Sequence, residues 1–255
     1  MDEIMDLIFG QYQIFLLVMI RTSGIFIFSP FFSSQNIPNT MKIGLSFSVS
    51  LLITSILPIV PNLTNETLLV LIFKELMVGI IIGFISYSFF SAFYVMGQII
   101  DMNIGFGMVN VVDPQNKVQV PLMGNFYYIL AFLMLLTTNG HHIIISALVD
   151  SYNFLPIGSF KYTEGTMNLL VDTLAKSFEI GFKLSSPVVA IIFLTDIVLG
   201  IMSKTIPQMN VFVVGMPLKA MVGLLIVLIS MPIFYGAING IFDFITNDIY
   251  KFINI

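Results

Sequence analysis

Six long apolar stretches dominate the sequence and limit what the chain can fold into. A helix needs about 20 mostly apolar residues to cross the hydrocarbon core of a membrane. Backbone groups in lipid must be hydrogen bonded within the protein, so only helices or closed barrels cross it, and strand-type alternation is not sustained here. We therefore predict an all-α, polytopic membrane protein with about six long hydrophobic helices. The stretches are residues 12–32, 43–60, 76–100, 122–138, 184–202 and 211–238, and a shorter one, residues 143–149, predicts a re-entrant or interfacial turn.

Charged residues are too few to cover a soluble globule of this size. Of the 255 residues, 57% are hydrophobic and 9% are charged, whereas soluble domains carry about 25% charged residues. The missing polar surface implies that lipid or other proteins cover much of the chain. The net charge is −4 and the basic residues are scattered, which excludes a nucleic-acid partner. The chain has no cysteine, which excludes disulfides, thiolate nucleophiles and cysteine-based metal sites.

Turn residues separate the apolar stretches, and the longest loops are predicted at residues 101–121 and 150–176. No internal repeat, low-complexity tract or linker indicates a second domain. We therefore predict one domain over residues 1–255.

Two charged residues lie within apolar stretches, Arg21 in the first and Asp196 in the fifth. Intramembrane charges are costly, so they usually face the interior of a helix bundle and form pairs. A proton or ion relay and a structural ion pair both fit this placement, and we favour the ion pair because one acid and one base do not make a relay. Four further charges alternate in sign along one helix face and indicate either a solvated or a partner-facing surface: Asp172, Lys176, Glu179 and Lys183.

Small residues indicate close helix packing at two places. Gly79 and Gly83 form one GxxxG pattern, and Gly236 and Gly240 form another. Such a pattern lets two helix backbones approach each other in lipid. It does not distinguish packing within the chain from packing between chains.

A glycine-rich apolar loop follows the third stretch. Gly105 and Gly107 flank Phe106, and an Asp113-Pro114 turn follows. A flexible apolar loop is poorly solvated in open water. It therefore either lines or plugs a cavity or is tucked into its own bundle, and the residues alone leave both interpretations open.

No constellation of residues points to catalysis or to a bound cofactor. His141 and His142 are adjacent, and adjacent side chains point apart on a helix, so we do not expect them to bind one metal ion. We expect them at a helix C-terminus, near the last carbonyl groups. The motifs of P-loops, serine hydrolases, zinc proteases and membrane aspartyl proteases do not occur in the sequence. We predict a protein that is not an enzyme and has no cofactor.

Specific strings of residues, from about residue 12 to residue 240, resemble the FliR family of flagellar biosynthetic proteins, whose relatives serve in virulence type III secretion systems. The most specific strings are Asn139-Gly140-His141 and Pro207-Gln208 followed by Phe212-Val213-Val214-Gly215-Met216-Pro217-Leu218. The match also includes Arg21, Ser29-Pro30, Lys42-Ile43-Gly44-Leu45, Lys74-Glu75-Leu76, Gly97-Gln98-Ile99-Ile100-Asp101, Val112-Asp113-Pro114 and Leu155-Pro156-Ile157-Gly158.

The resemblance implies a core subunit of the export gate of the flagellar type III system, which passes unfolded flagellar proteins across the bacterial inner membrane within the basal body. The expected partners are the P and Q subunits of the gate, the flagellar B and A subunits, the unfolded substrate proteins and membrane lipid. The fold is expected to resemble a fusion of the P-type and Q-type subunits. Two alternatives are the equivalent subunit of a virulence injectisome and, with less support, a stand-alone transporter of small solutes.

The resemblance also implies roles for particular residues. The loop after the third stretch is expected to plug the closed pore, through Gly105, Phe106, Gly107, Met108, Val109, Asp113 and Pro114. Helix packing or assembly is expected to involve Gly79, Gly83, Asn139, Gly140, His141, Pro207, Gln208, Gly215 and Pro217. Five charges are expected to be buried or at an interface: Arg21, Lys74, Glu75, Lys183 and Asp196. Family members sit largely above the membrane plane, so the hydrophobic helices are also expected to pack on other subunits.

Overall fold

The fold is all-helical wherever the structure describes it, which confirms the predicted class. The structure, a computed structural model, describes residues 2–30, 32–33, 37–57, 67–108, 121–206, 208 and 210–255. These residues form seven α-helices and a short 3₁₀ turn, and no strand occurs in the described ranges. The helices are α1 (Asp2–Phe28), α2 (Asn39–Ile56), α3 (Leu68–Ile104), α4 (Leu122–Thr137), α5 (Gly140–Phe154), α6 (Glu164–Thr205) and α7 (Val211–Ile253), and the 3₁₀ turn is Phe106–Met108.

The helices confirm a polytopic membrane protein. Four segments are long and apolar enough to cross a membrane, whereas α4 and α5 reach that criterion only together, as a pair bent by 68°. At 18 residues, α2 is not among the four. The qualifying segments are Gly10–Phe28, Leu68–Ile104, Glu164–Thr205 and Val213–Ile253.

The three longest helices exceed what a bilayer requires. Helices α3, α6 and α7 contain 37, 42 and 43 residues. At a rise of about 1.5 Å per residue, each is about 55–65 Å long, roughly twice the thickness of the hydrocarbon core. Each of these helices therefore contains more residues than one membrane span needs.

The predicted loop at residues 150–176 is wrong in its extent. Helix α5 continues to Phe154 and α6 begins at Glu164, so the connection is only residues 155–163. The Thr163 hydroxyl accepts a hydrogen bond from the Thr166 N–H at 3.2 Å and caps α6, with Glu164 in its first turn. The helical spacing of Asp172, Lys176, Glu179 and Lys183 correctly indicated a helix, since all four lie within α6. The predicted loop wrongly extended over the first two of them.

Two other predicted boundaries also differ. The loop predicted at residues 101–121 begins later, since α3 continues to Ile104. The stretch at residues 143–149 is the middle of α5 rather than a separate turn, and its predicted re-entrant character stays a prediction. A left-handed residue, Asn139 at φ 56°, separates α5 from α4, which ends at Thr137. Asparagine tolerates this conformation better than most residues, so the helix is interrupted where it stands.

The chain divides into two compact units that interleave along the sequence. Unit 1 comprises Met1–Ser88, Thr138–Thr173 and Asp243–Ile255, and includes α1, α2 and α5. Unit 2 comprises Phe89–Thr137 and Leu174–Phe242, and includes α4. Helices α3, α6 and α7 contribute residues to both units. The prediction of one domain stays a prediction.

Each unit has an apolar core. In unit 1, α1 contributes Leu17 and Val18, and α3 contributes Ile82 and Ile85, all of them fully buried. In unit 2, an aromatic cluster joins three helices: the Phe234 ring lies 5.1 Å from that of Phe93 and 5.0 Å from that of Tyr127. Rings at this spacing and tilt contribute beyond the area that they bury.

Candidate functional site

A buried polar network centres on Arg21 of α1, in unit 1. Its Nε donates to Glu75 Oε2 of α3 at 2.6 Å, and both side chains are fully buried. Nη1 donates to Ser151 Oγ at 2.9 Å, and Nη2 donates to the Leu155 carbonyl at 3.1 Å. The guanidinium also lies 4.1 Å from the centre of the Tyr152 ring. This single side chain therefore connects α1, α3 and α5.

The Glu75 carboxylate extends the network to the turn after α5. Its Oε1 accepts the Gly158 N–H at 2.9 Å, and Lys74 Nζ donates to the Gly158 carbonyl at 3.2 Å. Gly158 has φ 79°, which L side chains rarely adopt. Both charged groups of the buried pair thus have additional hydrogen bonds, as a stable buried pair requires. This arrangement supports the structural interpretation of Arg21 over the relay, with Glu75 as its partner.

The other predicted charges are more exposed. Asp196 of α6 pairs with Lys219 of α7 at 2.5 Å in unit 2, and the Asp196 side chain is 45% exposed. Lys183 pairs with Glu179 one turn away, and both are exposed. Lys74 is half-buried. The prediction that Lys183 and Asp196 lie at an interface with other chains stays a prediction.

The two GxxxG patterns have different surroundings. A Cβ on Gly79 would collide with the Arg21 carbonyl, and one on Gly83 would lie 2.9 Å from the Phe28 Cβ. The backbones of α1 and α3 therefore touch at these glycines. By contrast, a Cβ on Gly236 or on Gly240 would meet nothing within 4 Å.

The candidate gating residues follow α3 directly, in unit 2. Gly105 has φ 96°, and its N–H donates to the Asp101 carbonyl at 3.1 Å. A glycine in this conformation typically ends a helix. The next residues, Phe106–Met108, form the 3₁₀ turn, and the Phe106 side chain is half-buried. Val109, Asp113 and Pro114 lie outside the described residues.

A buried carboxylate lies in the last turn of α3, just before this 3₁₀ turn, and no role was predicted for it. Asp101, only 4% exposed, accepts the Met123 N–H at 3.0 Å through Oδ1 and at 2.9 Å through Oδ2. Its Oδ2 also accepts the Gly124 N–H at 3.3 Å. These N–H groups belong to the first turn of α4 and have no partner within their own helix. No local signal in the sequence pairs Asp101 with residues 22 and 23 positions later.

The remaining predicted residues lie near the break between α4 and α5 or near the start of α7. The expectation for the histidines is wrong: His141 and His142 lie in the first turn of α5, not at a helix C-terminus, and their ring centres are 4.3 Å apart. The left-handed Asn139 precedes a new helix that starts at the buried Gly140. Of the residues before and within α7, Gln208 is exposed, Gly215 is buried, Pro217 is exposed and Pro207 lies outside the described residues.

Comparisons with known proteins find similar sequences along most of the chain. The family model for "Bacterial export proteins, family 1" matches residues 12–245. The flagellar biosynthetic protein FliR of Bacillus subtilis is 36% identical to the chain, with 95% of the chain and 94% of that protein covered. FliR of Escherichia coli is 28% identical, with coverages of 90% and 88%. The surface presentation of antigens protein SpaR of Shigella flexneri is 28% identical, with coverages of 94% and 96%.

The matched region contains both the buried Arg21–Glu75 pair and the turn that follows α3, and it covers nearly all of the chain and of its relatives. Four of its helical segments are long and apolar enough to cross a membrane. On this evidence the chain belongs to family 1 of the bacterial export proteins, the family of the flagellar biosynthetic proteins FliR.

Proposed function

We propose that this chain is a core subunit of the flagellar type III export gate, in the inner membrane within the basal body, and forms part of the channel for unfolded flagellar proteins. The similarity to FliR of Bacillus subtilis over 95% of the chain carries the proposal. The apolar helices fit a membrane-associated channel subunit.

The role is conduction rather than catalysis. The two fully buried charged side chains described above, Arg21 and Glu75, bind each other and neighbouring backbone and hydroxyl groups. Groups held in this way stabilise a structure and do not present a nucleophile or a base to a substrate. Energy for export therefore comes from another component of the apparatus.

The proposed partners are the P and Q subunits of the gate, together with the B and A subunits, membrane lipid and the exported chains. The exposed apolar surfaces of α6 and α7 are the observation that supports these partners. Only 22% of the most apolar part of each helix is buried within the chain. Apolar surface on this scale marks a site of interaction with proteins or lipid.

The turn Gly105–Met108, with Val109, Asp113 and Pro114 beyond it, is proposed to close the resting channel. Apolar side chains such as Phe106 and Met108 exclude water and ions from a narrow pore, and flanking glycines let a loop move aside for a passing polypeptide. Methionine side chains adapt to chemically varied substrates. This role rests on the resemblance and on the apolar composition of the turn.

Deletion of residues 105–111 tests the proposal in the assembled export complex. We expect the complex to assemble and the cells to become permeable to small ions, measured as loss of membrane potential on induction. A control substitution, Gly200→Ala, whose Cβ would meet nothing within 4 Å, should leave permeability unchanged. An assembled deletion complex with the conductance of the unmodified complex would contradict the gating role.

The second candidate function is that of the equivalent subunit of a virulence injectisome. It is favoured by the 28% identity to SpaR, which extends over 94% of the chain. The identity to Bacillus FliR is higher, at 36%, so the flagellar role is preferred. Expression in a Bacillus subtilis strain that lacks its own FliR discriminates the two. Restored motility supports the flagellar role, whereas restored secretion only in an injectisome strain supports the alternative.

A further inference from the structure

We infer that Asp101 is a positioning residue, which fixes the apolar turn Gly105–Met108 by binding the end of α3 and the start of α4 at the same time. This inference rests on the proposed gating function and names a residue that controls it. Asp101 does not belong to the turn itself. It acts through its backbone carbonyl on one side and through its carboxylate on the other.

The carbonyl of Asp101 fixes the beginning of the turn. It accepts the N–H of Gly105 at 3.1 Å, and this bond ends α3 with Gly105 in the left-handed conformation. The direction in which Phe106 leaves the helix is therefore set by this hydrogen bond together with the positive φ of Gly105.

The carboxylate of Asp101 fixes the start of the next helix. Its two oxygens receive the N–H groups of Met123 and Gly124 over 2.9–3.3 Å. The first turn of a helix carries partial positive charge, so a carboxylate is a favourable ligand for it. Asp101 is only 4% exposed, so breaking these bonds would leave a buried carboxylate without hydrogen-bond partners. Because that costs free energy, the carboxylate is expected to stay bound to the first turn of α4.

A glycine pair makes the contact possible. Gly97 precedes Asp101 by one helical turn and lies on the same face of α3. A Cβ on Gly97 would collide with the backbone of Gly124, so the two helices touch there without intervening side chains. This close approach brings the N–H groups of α4 within reach of the Asp101 carboxylate.

A cysteine introduced at position 108 measures whether Asp101 holds the turn. The chain has no cysteine of its own, so Met108→Cys provides a single thiol while Phe106 is retained. We expect slow reaction with a water-soluble maleimide in the assembled export complex. Adding Asp101→Ala should accelerate the reaction about tenfold or more, because loss of charge-assisted hydrogen bonds shifts a local opening equilibrium by such a factor. Asp101→Asn retains one acceptor oxygen and should be intermediate.

Two controls separate positioning of the turn from general loosening. Asp150→Ala removes a different carboxylate contact, the hydrogen bond from the Tyr250 hydroxyl in unit 1, and should not change labelling at position 108. A cysteine at Met102, exposed on α3 beside Asp101, should react equally fast with and without Asp101→Ala. If Asp101→Ala fails to assemble, the Asp101→Asn complex decides the outcome.

Ion permeability of the same complexes tests the gating function separately from the positioning role of Asp101. Faster labelling together with increased permeability supports both the positioning role and the gating function. Faster labelling with unchanged permeability supports the positioning role and contradicts the gating function. Unchanged labelling in both Asp101 variants overturns the inference, whatever the permeability.

Discussion

Arg21 shows how one side chain determines the arrangement of unit 1. Its three donor groups bind the Glu75 carboxylate of α3, and a hydroxyl and a backbone carbonyl at the end of α5. Lysine has one point charge and cannot reproduce this planar set of donors. The network therefore specifies which helices meet, in addition to any stability that it contributes.

Replacing Arg21 with alanine should strongly destabilise the chain. Removal of one member of a buried ion pair leaves the other charged and desolvated, at a cost of about 3–5 kcal/mol. We expect the Arg21→Ala protein to accumulate poorly and to be degraded faster by protease in detergent. The exposed pair on α6 provides the matched control, since exposed pairs contribute little, and Lys183→Ala should behave as the unmodified protein. Equal protease resistance of the two variants would contradict a structural role for Arg21.

The sequence allowed only part of the candidate site to be predicted. An arginine in an apolar stretch predicts burial and pairing, but its partner, Glu75, is 54 positions away and sits beside a lysine of opposite charge. The apolar turn at Phe106 was recognisable because its glycines and aromatic residue are adjacent. Asp101 was not, since a carboxylate at the end of a helix gives no indication of which distant N–H groups it binds.

At the scale of elements, the close contact of α1 with α3 depends on glycine. Gly24 on α1 and Gly79 on α3 face each other, and a Cβ on Gly24 would lie 3.0 Å from the Gly79 backbone. The same approach places Glu75, one turn before Gly79, against Arg21. Helix packing and the buried polar network are thus two consequences of one contact.

Alanine at position 79 should separate these helices, because its Cβ would occupy the site of the Arg21 carbonyl. We expect a loss of protease resistance comparable to that of Arg21→Ala, and little further loss in the double variant, because both changes disrupt the same contact. Gly236→Ala is the control within the second GxxxG pattern. Its Cβ meets nothing within 4 Å, so the fold of the chain should be unaffected. Fully additive effects of the Gly79 and Arg21 changes would contradict a shared contact.

Element boundaries were harder to predict than element types. Apolar runs predicted helices at the positions of α1–α4, α6 and α7, whereas the short run within α5 predicted only a turn. The start of α6 was predicted too late, because its apolar run begins only at residue 184. Hydropathy reports which residues avoid water and does not report where a helix with one polar face begins. The break at Asn139 was likewise not predicted, since its left-handed conformation is imposed by its surroundings.

At the scale of the whole molecule, α2 indicates what surrounds the exposed surface of the chain. Its buried residues are Ser46, Ser50 and Ile53, whereas Leu52 and Ile56 are 66% and 74% exposed. A helix of a soluble protein has the opposite distribution. Small polar residues facing a neighbouring helix and large apolar residues facing outward are typical of helices surrounded by lipid or by other subunits. The outward faces of α6 and α7 have the same character.

Production of the chain alone and with its proposed partners tests this conclusion. Without detergent the chain should aggregate, because its exposed apolar surface has no cover in water. Co-expression with the P and Q subunits should yield a defined complex in detergent, with several times more intact chain, since binding that requires the folded state stabilises it. The measurement is the size-exclusion profile and the amount of intact chain, with Arg21→Ala as a control that fails to gain from co-expression. A monodisperse, folded chain in plain buffer would contradict the proposed covering, and activity of the chain alone in liposomes would contradict a gate subunit.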